Sequence, residues 1–468
     1  MGRKVKIVAT LGPVSKSREM VCKLIKAGVN VFRLNFSYGT HESHYENFKL
    51  IRNCAAELGK EVAVMQDICG PKIRIKGMKE SREISKGDRI VMSKKPSGEA
   101  FSITYPHIID QLEKGDEVYF ADGTVKAKVE KKTGDKLTLR ALTSGQLREG
   151  KGVNIPKSGI KMSALTDKDK NDLKFAAQIG IDIVAVSFVE TAKDILEARK
   201  ILTENGSDAW IIAKIERKAA IKNLDEILDV TDGIMVARGD LGVEAGIFSV
   251  PGLQKEMIKK ANERALPVIT ATQMLTSMLH SASPTRAEIS DIANAVYDGT
   301  DAVMLSDETA VGSFPVEAVE VMVKALMDTQ NHLPKIREIK PDKTEGFAHA
   351  AAEIAGDVPC KAIVSFTTSG YTARQIAKFR PRKPLFAVTF DEKVSHRLAL
   401  VWGVEKNFCI DLDESENRMM YQFLQKVKKD EPYIVTMGSH AGVKGSTNMV
   451  RLLDKAAKEK IFERFGEK

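Results

Sequence analysis

Eight short apolar runs recur along the first two-thirds of the chain, and each ends in polar or charged residues. Uninterrupted runs of Val, Ile and Ala are typical of parallel strands that are buried on both faces. Eight of them, separated by helical patterns, predict a (β/α)8 TIM barrel. The runs occupy residues 5–10, 29–35, 62–67, 183–188, 210–216, 233–240, 268–273 and 302–308.

In such a barrel the carboxyl ends of the strands form one rim, where the active site is built. The polar residues that close the eight runs are therefore catalytic candidates as a set. They are Arg33, Asn35, Asp67, Ser187, Lys214, Glu216, Arg238, Asp240, Thr272, Ser306 and Glu308.

One gap breaks the regular spacing of the runs, because more than a hundred residues separate the third run from the fourth. Segments 87–93, 115–130 and 135–142 alternate polar and apolar residues around Gly-Asp, Asp-Gly and Thr-Gly-Asp turns, which predicts antiparallel strands. We expect an all-β domain, a small β-barrel at residues 72–157, inserted after the third strand. Since it would leave from a βα loop, it would act as a lid over the catalytic rim.

A third domain is predicted after the eighth run. A Pro-, Lys- and Glu-rich stretch at 331–346 reads as a linker, and beyond it apolar strands alternate with helical segments. The sequence thus predicts a barrel from residues 1–71 and 158–335, and a C-terminal α/β domain at 340–468.

Composition narrows the class of protein. The net charge of +9 indicates a solvated, Lys-rich surface or basic clefts that attract anionic small molecules. Nucleic-acid binding is disfavoured because no recognition motif is present, and no apolar stretch is long enough to span a membrane. The five cysteines are scattered and form no CxxC pair, so we expect a cytoplasmic protein.

Carboxylates and cations at the strand ends carry the chemistry. Glu216 and Asp240 close neighbouring strands and suit Mg²⁺, and Lys214 lies on the same face as Glu216. The alternative is a structural salt bridge to Lys214 or Arg238. Arg33 suits phosphate recognition, with an ion pair to a neighbouring aspartate as its alternative.

Three further residues are weaker signals by themselves. Gly239 before Asp240 can present backbone N–H groups to a carboxylate. Thr272 and Ser306 place hydroxyl groups at the seventh and eighth strand ends, where helix capping is the commoner role.

Eight segments, in order along nearly the whole chain, resemble the pyruvate kinase family. They are KIVATLGP, NVFRLNFSYGTH, DICGPKIR, KIE, IMVARGDLG, ITATQML, PTRAEISDIANAVYDGTDAVMLSDETAVG and GVKGSTNMVRL. The resemblance implies a barrel, a mobile inserted β-domain and a C-terminal regulatory domain, in agreement with the division above.

The resemblance also implies a reaction, which is transfer of the phosphoryl group of phosphoenolpyruvate to ADP, giving ATP and pyruvate. It assigns Mg²⁺ or Mn²⁺ to Glu216 and Asp240, and the transferred phosphate to Lys214 and Arg33. The remaining implied roles are substrate carboxylate binding by backbone N–H groups at Gly239 and Asp240, proton delivery by Thr272 and Ser306, and a catalytic role for Arg74.

One departure from the family pattern concerns K⁺. The family's monovalent-cation site corresponds to Asn35, Ser37, Asp67 and the carbonyl of Ile68, and Lys72 stands where K⁺-dependent members carry glutamate. A fixed ammonium group can supply the positive charge of K⁺. We therefore predict activity that does not require K⁺.

A hydroxyl-rich loop in the C-terminal domain lies between a strand and a helix, where free N–H groups can bind phosphate. In the family this loop binds phosphorylated allosteric effectors, although an ordinary capped turn is the alternative. The candidate residues are Thr367, Thr368, Ser369, Gly370 and Thr372. Family analogy further implies a homotetramer.

The competing enzyme class is a Mg²⁺-dependent lyase or aldolase acting on pyruvate or phosphoenolpyruvate, since such barrels also carry Glu and Asp on neighbouring strands. It explains neither the insertion nor Lys214 two residues before Glu216. The sequence therefore favours the phosphotransferase.

Overall fold

The computed structural model describes residues 2–121, 123–156, 164–333, 345–413, 415–428, 431–438 and 447–465. Most of the predicted linker and the domain boundaries proposed at 157–158, 335 and 340 lie outside these residues. So do the first five residues of the GVKGSTNMVRL segment.

The described residues form strands and helices in the following order along the chain. The strands are β1 Lys6–Thr10, β2 Val31–Asn35, β3 Ala63–Asp67, β4 Ile75–Lys76, β5 Arg82–Ile84, β6 Arg89–Ser93, β7 Ser102–Ile103, β8 Glu117–Phe120, β9 Val125–Thr133, β10 Lys136–Ala141, β11 Gly145–Leu147, β12 Val153–Asn154, β13 Ile183–Val186, β14 Trp210–Ile215, β15 Gly233–Ala237, β16 Val268–Ala271, β17 Ala302–Leu305, β18 Ala362–Phe366, β19 Leu385–Thr389, β20 Val404–Cys409, β21 Tyr433–Gly438 and β22 Thr447–Leu453. The α-helices are α1 Arg18–Ala27, α2 His41–Glu57, α3 Asp167–Ile179, α4 Ala192–Glu204, α5 Lys218–Lys222, α6 Leu224–Leu228, α7 Arg238–Ala245, α8 Val250–Glu263, α9 Arg286–Asp298, α10 Asp307–Ala310, α11 Pro315–Gln330, α12 Gly346–Asp357, α13 Tyr371–Lys378, α14 Glu392–Leu398, α15 Glu416–Gln425 and α16 Lys455–Phe465.

Strands β1–β3 and β13–β17 are parallel and close a barrel in the order β1-β17-β16-β15-β14-β13-β3-β2. The predicted (β/α)8 barrel is therefore confirmed. Its strands are apolar on both faces because one face fills the barrel interior and the other packs against the surrounding helices.

Two of the predicted strand ends are helical turns in the structure. β15 ends at Ala237, so Arg238 and Asp240 lie in the first turn of α7. β17 ends at Leu305, and Glu308 lies in α10. The polar residues still surround the same rim, but their amide groups now belong to helix N-termini.

The insertion between β3 and β13 is a β-domain with its own apolar core, which includes Ile75, Phe101, Phe120 and Leu139. Its described strands pair as an open five-stranded sheet, β12-β8-β9-β10-β6, and as two pairs, β11-β5 and β4-β7. The sequence analysis predicted a small β-barrel at residues 72–157.

The C-terminal domain contains a sheet in the order β20-β19-β18-β21-β22, in which only β22 is antiparallel among the described strands. The sequence analysis did not predict β20 and β22, because their residues are mostly polar or exposed. This domain covers the amino ends of the barrel strands: Gly403 N–H donates to the Lys4 carbonyl over 2.9 Å. The carboxyl rim is left free for a site.

None of the helices in the described ranges has the length and hydropathy needed to cross a bilayer.

Candidate active site

The ammonium group of Lys214 lies at the centre of a buried charge cluster at the barrel rim. Its Nζ is 3.1 Å from Asp67 Oδ1, 2.7 Å from Ser187 Oγ and 3.0 Å from Glu216 Oε1. The two carboxylates are 2% exposed and the lysine side chain is 11% exposed. The cluster joins the ends of β3, β13 and β14, which are neighbours in the barrel.

Burial and charge oppose each other in this cluster. Burial lowers the pKa of Lys214, but Asp67 and Glu216 more than offset it, so the pKa of Lys214 lies above its ordinary value. Burial likewise raises the pKa of Asp67, yet the cations Lys214 and Arg33 hold that pKa below its usual range. The lysine is therefore a permanent cation at neutral pH.

Arg33 lies on the other side of the same aspartate. Its Nε donates to Asp67 Oδ2 over 2.6 Å, and its Nη1 donates to Thr10 Oγ1 over 3.1 Å. Its Nη2 makes no hydrogen bond to another described residue. Asp67 thus holds two cations side by side, each through one oxygen, and one guanidinium donor remains for a ligand.

The structural alternatives to a functional role are both present, since Arg33 pairs with Asp67 and Lys214 pairs with Glu216. They do not exclude a functional role. The charges of Lys214 and Arg33 balance those of Asp67 and Glu216, and the free guanidinium donor of Arg33 remains available to an anionic ligand.

Glu216 is held by a backbone donor that the sequence did not reveal. Phe188 N–H donates to Glu216 Oε2 over 2.8 Å, and Phe188 has a φ of 56°. Burial, together with the charge of Asp240, outweighs Lys214 and raises the pKa of Glu216. Glu216 and Asp240 are therefore close enough to repel each other.

Thr272 follows β16 in a left-handed backbone conformation, with a φ of 68°, and Gln273 continues it with a φ of 55°. Such conformations are strained for a β-branched residue. Thr272 Oγ1 accepts a hydrogen bond from Gly239 N–H over 3.0 Å, and its carbonyl accepts one from Arg238 Nη2 over 2.7 Å. The first turn of α7 thus fixes the hydroxyl position.

Ser306 lies between β17 and α10, and its N–H donates to Glu308 Oε2 over 2.7 Å. The other oxygen of Glu308 accepts from Leu275 N–H over 3.0 Å. Glu308 therefore joins the loops after β16 and β17, which places the Thr272 and Ser306 segments together at the rim.

Two of the residues predicted for a monovalent-cation site, Asp67 and Ile68, belong to the same network. Asn35 Oδ1 accepts from Ser37 N–H over 3.1 Å, and the Ile68 carbonyl accepts from Ser187 Oγ over 2.6 Å. Ser187, a rim candidate without an assigned role, thereby connects the Ile68 carbonyl to Lys214.

Lys72 and Arg74 lie where the inserted domain leaves the barrel. Lys72 lines a small cavity together with Phe188, Arg217 and Glu244. Arg74 Nη1 donates to the Gly150 carbonyl within the insertion over 3.0 Å. In the described part of the chain, no hydrogen bond joins Arg74 to the rim cluster.

The predicted effector loop is a turn between β18 and α13, and Gly370, which precedes α13, provides no side-chain cap. Thr367 Oγ1 accepts from Gly370 N–H over 3.0 Å, and Gly370 has a φ of 83°. On the other side of the loop, the hydroxyl groups of Thr372 and Thr447 are 2.7 Å apart. Thr368 and Ser369 are half-buried between these two anchors.

Sequence reasoning did not single out Thr10 or Phe188. Thr10 closes the first run, so its polar side chain at a strand end was a usable signal. Phe188 acts through its backbone N–H, whose direction depends on a φ angle that no residue pattern specifies.

Comparison with known proteins gives one consistent result. The family model for the pyruvate kinase barrel domain matches residues 2–319, and the model for the pyruvate kinase alpha/beta domain matches residues 345–453. The chain is 42% identical to a pyruvate kinase of Geobacillus stearothermophilus, over 97% of this chain and 80% of the relative. It is 41% identical to pyruvate kinase 2 of Synechocystis sp., over 96% and 79% of the two chains.

A solved structure agrees with these relatives. The crystal structure of a pyruvate kinase from Cryptosporidium parvum has a TM-score of 0.88 and 34% sequence identity, covering 97% of this chain and 96% of that chain.

Proposed function

This chain belongs to the pyruvate kinase family and is a phosphotransferase, and from that premise we propose that it transfers the phosphoryl group of phosphoenolpyruvate to ADP. The products are ATP and the enolate of pyruvate, which then takes up a proton at carbon. The observation that carries the proposal is the buried cluster in which Asp67 holds Lys214 and Arg33 side by side.

The cluster meets the electrostatic demand of phosphoryl transfer. The transition state spreads negative charge over three phosphoryl oxygens, so positioning and positive charge matter more than a covalent nucleophile. Lys214 contacts the moving phosphoryl group, and the free Nη2 donor of Arg33 binds the same phosphate. Both cations are fixed before substrate arrives, so little reorganisation is needed in the transition state.

Glu216 and Asp240 fit a divalent cation, Mg²⁺ or Mn²⁺. Burial and the charge of Asp240 raise the pKa of Glu216, and a cation held by these two carboxylates would remove their repulsion. A pair of carboxylates is a donor set that suits Mg²⁺, because this ion keeps water and substrate oxygens as its other ligands. When bound, the cation neutralises phosphate charge and orients the substrate.

The first turn of α7 and Thr272 handle the rest of the substrate. The N–H groups of a first helical turn lack intrahelical acceptors, so those of Gly239 and Asp240 bind the substrate carboxylate. The Gly239 N–H now donates to Thr272 Oγ1, and substrate binding releases that hydroxyl. Thr272, with Ser306, then delivers the proton to the enolate.

A coupled assay tests the whole proposal. Pyruvate formation from phosphoenolpyruvate should require both ADP and a divalent cation, with ATP formed in equal amount. Pyruvate released without ADP would instead indicate a lyase.

We also propose that activity does not require K⁺, because Lys72 supplies a fixed cation at the base of the insertion. In buffer free of K⁺ and Na⁺, the unaltered chain should keep most of its rate. Lys72→Glu should lose activity by about tenfold or more and regain it on addition of KCl, whereas Lys79→Glu, an exposed residue in the insertion, should behave like the unaltered chain. A KCl requirement in the unaltered chain would overturn this proposal alone.

Four wider properties complete the proposal. The inserted domain closes over the rim and excludes water during transfer, with Arg74 joining the site on closure. The residues 367–372 loop binds a phosphorylated effector. The chain acts in glycolysis in the cytoplasm, consistent with its five free cysteines.

The chain forms a homotetramer. The almost fully exposed side chain of Phe248 supports this assembly, because association of subunits would cover it. Mass photometry tests the number of subunits.

A further inference from the structure

Two of the five cysteines lie side by side between the first two helices of the barrel. Cys22 belongs to α1 and Cys54 to α2. The thiol of Cys54 donates to the Arg18 carbonyl, with Sγ and the oxygen 3.7 Å apart. In an α-helix that carbonyl also accepts from the N–H four residues later, which is that of Cys22. The Cys54 thiol therefore lies against the turn of α1 that carries Cys22.

The two thiols also contact each other. Burial raises the pKa of Cys54, and a side-chain hydrogen bond with Cys22 raises it further. An ion pair between Arg18 and Glu57 spans the same two helices, one turn from each cysteine. Contacts of the backbone and of the side chains thus agree in placing the two sulfur atoms within reach of each other.

The two sulfur atoms differ in exposure. Cys54 is fully buried in the apolar core between the barrel strands and helices, whereas Cys22 is half-buried at the edge of that core. A thiolate is the species that attacks a disulfide, and a buried apolar environment disfavours the thiolate. A reagent from solution therefore reaches Cys22 first, and Cys54 lies directly behind it.

The other three cysteines have no such neighbour. Cys360 donates to the Ala355 carbonyl over 3.8 Å in the C-terminal domain, and Cys69 lies near Tyr105 of the insertion. Among the described residues, neither of these nor Cys409 contacts another cysteine. Pairing of thiols is therefore specific to the contact between α1 and α2.

We infer that Cys22 and Cys54 form an intrachain disulfide when the protein meets a small-molecule disulfide such as oxidised glutathione. Cys22 first loses its proton to solvent, and its sulfur attacks the oxidant, whose S–S bond breaks to release one glutathione thiolate. The Cys54 sulfur then attacks the Cys22 sulfur and displaces the second glutathione, which takes up the proton that Cys54 loses. Two protein thiols are oxidised, and the oxidant is reduced to two glutathione thiols.

The cross-link would join the helices that follow two neighbouring strands of the rim. β1 ends at Thr10 and β2 carries Arg33, and these two side chains are hydrogen-bonded. Because a disulfide restricts the unfolded chain, the oxidised protein should resist heat better than the reduced protein. Formation of the bond is measured without turnover, so the inference goes beyond the proposed function and does not depend on it.

Incubation of the full chain with oxidised glutathione tests the inference, with mass spectrometry of the denatured protein in the absence of reductant as the measurement. Peptide mapping should find Cys22 and Cys54 linked to each other, and both of these thiols should be lost. Dithiothreitol should restore them. The midpoint of thermal denaturation should be higher after oxidation and should return to its first value after reduction.

Three variants separate the two sulfur atoms. Cys22→Ser should leave Cys54 as a free thiol, because the buried sulfur has lost its partner. Cys54→Ala should stop after the first step, with one glutathione retained on Cys22. Cys409→Ser, which removes another half-buried cysteine, should form the link as completely as the unaltered chain does.

Three outcomes would overturn the inference. They are a Cys54 thiol that stays free in the oxidised unaltered chain, a link between any other pair of cysteines, or loss of the Cys54 thiol in Cys22→Ser. Circular dichroism shows whether Cys54→Ala folds. If it does not, Cys22→Ser decides: a midpoint that oxidised glutathione raises as much in this variant as in the unaltered chain also sinks the idea.

Discussion

Two groups of buried charges lie at opposite ends of the same barrel, and they are built differently. At the amino end, Arg380 donates to both oxygens of Asp301, to the Asn262 side chain and to two backbone carbonyls. At the rim, Nη2 of Arg33 makes no hydrogen bond to another described residue, and the carboxylates of Glu216 and Asp240 repel each other.

The difference separates a structural ion pair from a binding site. Both terminal nitrogens of Arg380 are engaged and its unpartnered Nε is buried, so this cation offers no accessible donor to a ligand and fixes the C-terminal domain to the barrel. At the rim, the free donor of Arg33 can bind an anion, and a divalent cation would relieve the repulsion between Glu216 and Asp240. Both ends contain buried arginines and carboxylates, so burial and charge do not tell a binding site from a structural ion pair. What distinguishes them is whether an accessible hydrogen-bond donor is left without a partner.

The largest expected effect is on catalysis at the rim. Lys214→Met should lower kcat by about a thousandfold or more, because the cation that faces the developing phosphoryl charge is lost. Steady-state kinetics with phosphoenolpyruvate and ADP measure it. Lys200→Met, which removes an exposed lysine, should keep the full rate. A loss of less than about tenfold at Lys214 would contradict its assignment.

The second prediction concerns the amino end, where stability should suffer and catalysis should not. Arg380→Met should reduce the free energy of unfolding by about 3 kcal/mol, because Asp301 stays buried without its cation. Urea denaturation measures the change. Arg18→Met breaks an exposed pair and should cost less than about 1 kcal/mol. If kcat of the folded Arg380 variant fell as far as that of Lys214→Met, the contrast between the two ends would be wrong.

The sequence predicted the barrel well and its rim only in part. Continuous apolar runs specify buried parallel strands, and the family segments pointed to Lys214, Glu216 and Arg33. Which cation has a spare donor depends on side-chain geometry across three strands, and no local pattern records it. Strands β20 and β22 were also not predicted, because their residues are mostly polar or exposed and do not form an apolar run.

A third prediction concerns backbone strain at the rim. Thr272→Ala should lower kcat by about a hundredfold, because the hydroxyl proposed for proton delivery is removed. It should not destabilise the fold, since alanine tolerates a φ of 68° better than a β-branched residue. Thr272→Ser keeps the hydroxyl and should retain most of the rate. Equal losses in both variants would assign Thr272 a packing role instead.

The smallest expected effect is at Glu244, a buried carboxyl of α7 beside the insertion. Burial raises its pKa to about 7, against the attraction of Arg217 and with help from Asp240. Because the pKa of Glu244 is higher in the folded state than in the unfolded state, ionising this carboxyl costs more free energy in the folded protein. Its ionisation therefore lowers the free energy of unfolding. That cost is absent below the unfolded pKa and grows as pH rises toward about 7.

Glu244→Gln removes this cost, so it should stabilise the protein by about 1 kcal/mol above about pH 7 and leave stability unchanged at acid pH. Thermal denaturation across that pH range measures the difference between variant and unaltered chain. Asp225→Asn, at an exposed carboxylate, should show no such rise with pH. A stability difference that is the same at every pH would mean that folding does not shift the pKa of Glu244, and that the repulsion at the rim does not extend along α7.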